Sequence, residues 1–85
     1  MIENYTKIYF IGIGGIGMSS LALYFLDKGK TIGGYDKTKT DLTINLENHG
    51  ALIHYDLKNS EIPLEFRNKQ DTLIIYTPAI SKDNI

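Results

Sequence analysis

Eighty-five residues carrying a formal net charge of −1, 42% apolar and 22% charged, describe one ordinary small globular domain. That balance gives no electrostatic case for a nucleic-acid partner and contains no acidic tail. Without a single cysteine the chain can form neither disulfides nor thiolate metal sites, and no apolar run approaches the ~18–20 residues of a membrane span.

The opening Met1-Ile2-Glu3-Asn4-Tyr5 lacks the basic-then-apolar order of a secretory signal, so a cytoplasmic protein is expected. Lys7 to Gly12 is β-branched and aromatic with no polar alternation after Lys7, which predicts a strand buried on both faces. From Met18 to Lys28 the apolar residues Met18, Leu21, Ala22, Phe25 and Leu26 recur at helical spacing, and Gly29 is placed to end the helix. Thr31 to Tyr35 predicts a short second strand ending at Asp36. Asp41 to Asn48 predicts a second helix, with Gly50 as its stop. Ala51 to His54 predicts a third strand. Leu57 to Asn68 has no clear period, and Pro63 argues against one continuous helix there. Asp71 to Tyr76 predicts the fourth strand. No linker or internal repeat divides the chain, so a single domain over 1–85 is expected.

Strands alternating with helices predict βαβ units, a Rossmann-like parallel sheet with flanking helices, small and incomplete for its class. In such a sheet Gly12, Asp36, His54 and Thr77 all follow strands and should meet at the carboxyl edge, where open α/β sheets take ligands.

The run that carries chemistry is Gly12-Ile13-Gly14-Gly15-Ile16-Gly17, a G-x-G-x-x-G between a strand and a helix. Gly12 suits a tight turn with positive φ. Gly14 would let a phosphate approach the backbone, and Gly17 would let the helix lie close to the strand. The helix N-terminus would then offer unpaired N–H groups and a partial positive charge to a diphosphate. The plainer alternative is a glycine-rich turn that only packs helix on sheet; it accounts for one or two glycines better than for four in six positions. Asp36 stands where the dinucleotide fingerprint keeps an acid for a ribose hydroxyl, the alternative being a solvated turn residue beside Lys37 and Lys39.

The tyrosines Tyr5, Tyr9, Tyr24, Tyr55 and Tyr76 read as packing rather than a base-stacking platform, because no basic groove accompanies them. Glu61 and Glu65 read as a solvated face, and His49 as a residue at a helix end. Two histidines without a thiolate make metal ligation improbable.

Phe10-Ile11-Gly12-Ile13-Gly14-Gly15-Ile16-Gly17-Met18-Ser19 closely resembles the opening of the Mur ligases, in particular their alanine-adding branch. Gly34-Tyr35-Asp36, Gly50-Ala51-Leu52-Ile53 and Tyr76-Thr77-Pro78-Ala79-Ile80 with Asp83-Asn84 are similar to three later stretches of that family, in order. The resemblance implies an ATP- and magnesium-dependent enzyme of peptidoglycan synthesis. It would join L-alanine to UDP-N-acetylmuramic acid through an acyl phosphate, and its N-terminal domain would hold the UDP part. By that likeness Gly12, Gly14, Gly15, Ile16, Gly17, Met18 and Ser19 would surround the diphosphate. Tyr35 and Asp36 would face the uridine, and Thr77, Pro78 and Ala79 would line the pocket.

The chain departs from the family pattern in places. Tyr35 stands where Ser is usual, Thr77-Pro78 replaces Ser-Ser, and the family's Gly-His after the third strand has no counterpart, so no ligand role passes to His54. No G-x-x-G-K-[ST] loop is present, so the ATP-binding and C-terminal domains are expected to be missing and this domain alone to be inactive. The relative that recycles a muramyl tripeptide is the near alternative. An NAD-binding oxidoreductase domain and a ligand-sensing domain like those of potassium-channel regulators are the distant ones.

Overall fold

A computed structural model describes residues 4–56 and 62–76. The elements in chain order are β1 (Lys7–Ile11), α1 (Ile16–Asp27), β2 (Thr31–Tyr35), α2 (Asp41–Asn48), β3 (Leu52–His54), a 3-10 turn (Leu64–Phe66) and β4 (Thr72–Tyr76). All pairings are parallel, in the order β3-β2-β1-β4. The expected Rossmann-like class is what the chain forms. Its strand order reverses at β1: the chain steps outward from β1 to β3, then returns to β1's other side as β4.

Each strand places alternate residues on opposite faces. Ile8 and Phe10 of β1 and Ile32 of β2 join Ile13, Ala22, Phe25, Leu46 and Ala51 in the larger core, beneath both helices. Tyr9 and Tyr35 point to the other face, where Phe66 of the 3-10 turn covers them with Ile11, Ile62 and Ile74 beside them. Burial on both sides explains why β1 reads as continuous apolar sequence: Ile8, Tyr9 and Phe10 are fully buried.

Local chemistry sets the boundaries. Gly29 and Gly50 take positive φ just past α1 and α2, as their place in the sequence predicts. Thr40 caps α2: its hydroxyl accepts from the Thr43 N–H at 3.4 Å while the Thr43 hydroxyl accepts from the Thr40 N–H at 2.9 Å. Helix α1 starts at Ile16, two residues before the apolar period begins, because its first turn is built of exposed residues that carry no packing pattern. Of the stretch without a clear period, 57–61 lie outside the described residues. Pro63 then precedes the 3-10 turn, so no helix runs through it. Among the described residues no helix is long and apolar enough to cross a membrane.

Candidate functional site

The turn after β1 is tied down from β2. Gly12 has φ 86° and donates its N–H to the Tyr35 carbonyl at 2.8 Å; the Ile13 N–H reaches the same oxygen at 3.1 Å. The Ile13 side chain is fully buried in the larger core. The Gly14 N–H donates to Oδ2 of Asp36 at 2.8 Å, and the Gly15 N–H to the Gly12 carbonyl at 3.1 Å. Four successive amides therefore have partners within the protein.

The next three have no partner among the described residues. Gly15 is the N-cap of α1 and no side chain caps this end. The first-turn amides of Ile16, Gly17 and Met18 precede the first intrahelical donor, Ser19, whose N–H meets the Gly15 carbonyl at 2.7 Å. Gly15, Ile16 and Gly17 are exposed, Ile16 to 80%, and the first turn contains no acidic residue. Three bare N–H groups at the positive end of a twelve-residue helix suit an anion. The Ser19 hydroxyl points back into the helix, donating to the Ile16 carbonyl at 3.1 Å.

One motif glycine does not play the packing part its place suggests, and a glycine outside the motif does. Gly17 does not bring the helix close to a strand, since a Cβ there would meet nothing within 4 Å. Close packing falls instead to Gly34 on β2, where a Cβ would lie 2.6 Å from the Phe10 carbonyl and 2.8 Å from Cδ1 of Ile13.

Asp36 follows β2 and is half-buried. Its Oδ1 accepts from the Thr38 N–H at 3.1 Å, completing an Asx turn, while Oδ2 holds Gly14. Tyr35 lends the turn its carbonyl, but its ring is buried in the second core, 5.3 Å from the His54 ring. The Tyr9 hydroxyl and Nε2 of His54 form a hydrogen bond on that face. Burial, with Tyr35 nearby, pushes the Tyr9 hydroxyl up to about 12. Burial lowers the His54 imidazole from its usual value, against the opposing charge of Asp56.

Other candidates lie apart from the turn. His49 bonds through Nδ1 to the Asn45 carbonyl at 2.8 Å, and the Glu65 carbonyl accepts from the Lys7 ammonium at 2.9 Å. Glu61 and Thr77 to Ala79 lie outside the described residues. The last described pair, Ile11 beside Tyr76, brings the end of β4 next to the start of the turn, at the reversal of strand order. Among the described residues no group of three or more His, Asp or Glu side chains is gathered for a metal.

Sequence reasoning missed the anchoring role of Ile13 and the Gly14–Asp36 contact. The first had a signal in the apolar residue between two glycines; the second needs the strand register.

A parallel α/β sheet that passes from its central strand through a glycine-rich turn into an uncapped helix defines the class: a Rossmann-like domain with an anion-competent first turn. The particular family follows from comparison: this chain belongs to the Mur ligase family, whose catalytic-domain description matches residues 7–85. It is 51% identical over 83 residues to the UDP-N-acetylmuramate–L-alanine ligase of Parabacteroides distasonis, covering 98% of this chain and 18% of that protein. The ligases of the same name from Phocaeicola vulgatus and Cytophaga hutchinsonii are 49% and 50% identical over 79 and 84 residues. They cover 93% and 99% of this chain and 17% and 18% of their own lengths. The chain thus spans under a fifth of the length of these relatives.

Proposed function

We propose that this chain is the UDP-binding N-terminal domain of a cytoplasmic ligase that joins L-alanine to UDP-N-acetylmuramic acid in peptidoglycan synthesis. The names of its relatives support the activity and the substrate. The observation that carries the reading to this domain is the bare first turn of α1. Glycine in a helix costs about 0.5–1 kcal/mol relative to alanine, and among the described residues Gly17 has no neighbour that would require it. An open glycine beside three unpaired amides is what close approach of a phosphate needs.

In this reading the amides of Ile16, Gly17 and Met18 receive the diphosphate, while Gly12, Gly14 and Gly15 shape the turn and Ser19 braces the helix end. Tyr35 and Asp36 lie on the uridine side. Thr77, Pro78 and Ala79 line the pocket from beyond β4. ATP and magnesium would be held by the remainder of a longer polypeptide, since the chain spans under a fifth of the length of its relatives. No bond-making step falls on this chain, and catalysis by it alone is not expected.

The test is a titration followed by backbone amide NMR, with UDP-N-acetylmuramic acid and NAD in separate arms. Shifts centred on Ile16 to Met18 with the UDP-sugar alone support the reading. The same shifts with NAD alone replace the ligase by an oxidoreductase domain. Gly17→Ala is expected to weaken the UDP-sugar about tenfold while raising stability by about 0.5–1 kcal/mol, since its methyl group crowds only the ligand.

A further inference from the structure

In the dinucleotide fingerprint the acid that ends the second strand accepts from a ribose hydroxyl. Here both oxygens of that acid are engaged by the backbone: Asp36 Oδ2 by the Gly14 N–H at 2.8 Å and Oδ1 by the Thr38 N–H at 3.1 Å. The packing around the first bond is close. A Cβ on Gly14 would stand 2.8 Å from Asp36 Oδ2 and 3.0 Å from Cγ2 of the fully buried Thr43. The peptides on either side are held independently: Gly12 and Ile13 by the Tyr35 carbonyl, Gly15 by the Gly12 carbonyl. Gly14 is the one peptide of the turn whose orientation depends on a side chain.

We infer that Asp36 is a positioning residue for the anion cradle, acting through the Gly14 N–H rather than by touching the nucleoside. The inference rests on the reading that this turn receives a diphosphate. Holding Gly14 fixes the entry to α1, and with it the direction of the Ile16, Gly17 and Met18 amides. The same bond withdraws the Gly14 N–H from the ligand. A phosphate oxygen seeking that amide would meet the carboxylate at hydrogen-bond range, where like charges repel strongly. The diphosphate is therefore steered onto the helix side of the turn, and Gly14, which the motif marks as a phosphate donor, shapes the cradle without contacting its contents.

The experiment compares the 85-residue chain with its Asp36→Ala and Asp36→Asn variants, titrating each with inorganic pyrophosphate and with UDP. Exchange of the Gly14 amide proton is followed in the unliganded proteins. Asp36→Ala is expected to weaken both probes by the same factor, about tenfold, the scale of one charge-assisted hydrogen bond, and to speed Gly14 exchange. Asp36→Asn keeps an oxygen for Gly14 and removes the charge. It is expected to keep slow Gly14 exchange and to bind both probes at least as tightly as the unmodified chain.

Loss of UDP binding with pyrophosphate unaffected overturns the inference, because the carboxylate then contacts the nucleoside. An Asn variant that behaves like the Ala variant overturns it too, as does Gly14 exchange indifferent to Asp36. An unmodified chain that binds neither probe removes the diphosphate reading, and this inference with it. In the first three outcomes the unmodified chain still binds, so the two failures are told apart.

Discussion

Gly34 and Gly17 show opposite uses of a missing side chain. At Gly34 the space is occupied, and part of what fills it is the Phe10 carbonyl of the neighbouring strand, which cannot rotate away. Gly34→Ala is expected to cost about 3 kcal/mol, read as a lower urea midpoint at unchanged slope. A near-neutral effect would mean that β1 and β2 can part more easily than their register suggests. Neither use was legible from the motif. The spacing of glycines named Gly17 as the packing residue, whereas contact depends on which face of β2 meets Ile13. The sequence did place Gly12, Gly29 and Gly50 correctly, because positive φ is a local property and needs no knowledge of neighbours.

The same division between local and distant causes runs through the elements. Both helices and all four strands were readable to within a residue or two, since their periods and stops lie inside the segments themselves. The largest difference, two residues at the start of α1, comes from a first turn of exposed residues that carry no packing pattern. The start of α2 is self-contained: Thr40 and Thr43 exchange side-chain and backbone bonds three residues apart. Thr40→Ala is expected to destabilise the chain by about 1 kcal/mol, measured by urea unfolding, and Thr40→Ser to recover most of that. Loss without recovery by serine would assign the effect to the threonine methyl rather than to the cap. The 3-10 turn was unreadable for the reverse reason. Its one buried residue, Phe66, is fixed by the second face of a sheet that begins far back in the chain, at Lys7, with its ring against Gly33 and Tyr9.

At the scale of the whole molecule that second face links β1 to β3 through one polar bond, Tyr9 to His54, with the Tyr35 ring of β2 packed against the His54 ring. Tyr9 holds its proton more tightly folded than unfolded, about 12 against 10.0. Its contribution is complete below pH 10 and is lost as pH climbs toward 12. His54 is shifted the other way, below 6.5, so the stability it lends is present above that pH and falls away in acid. The urea midpoint should therefore form a plateau between these limits and decline on both sides. Tyr9→Phe should reduce the alkaline decline; an unchanged alkaline limb would place the titration elsewhere. None of this was visible in a sequence where Tyr9 read as packing and His54 as a polar residue at a strand end. The candidate site was better advertised. Its glycines pointed to the turn as the candidate site, but the sequence could not tell which of its amides are bound within the protein.

The glycine run proves to be two objects joined at Gly15. Before it, each N–H is bound within the protein and Ile13 is sunk in the core; after it, amides and side chains alike face outward. Random substitution through 12–17 should accordingly yield two kinds of casualty: changes in the first half would show as less folded protein in the cell, changes in the second as normal amounts of a protein that no longer holds the proposed diphosphate. A single motif would thus answer to two selective pressures that can relax independently, and a descendant could abandon the ligand, fill in Gly15 and Gly17, and still inherit the fold.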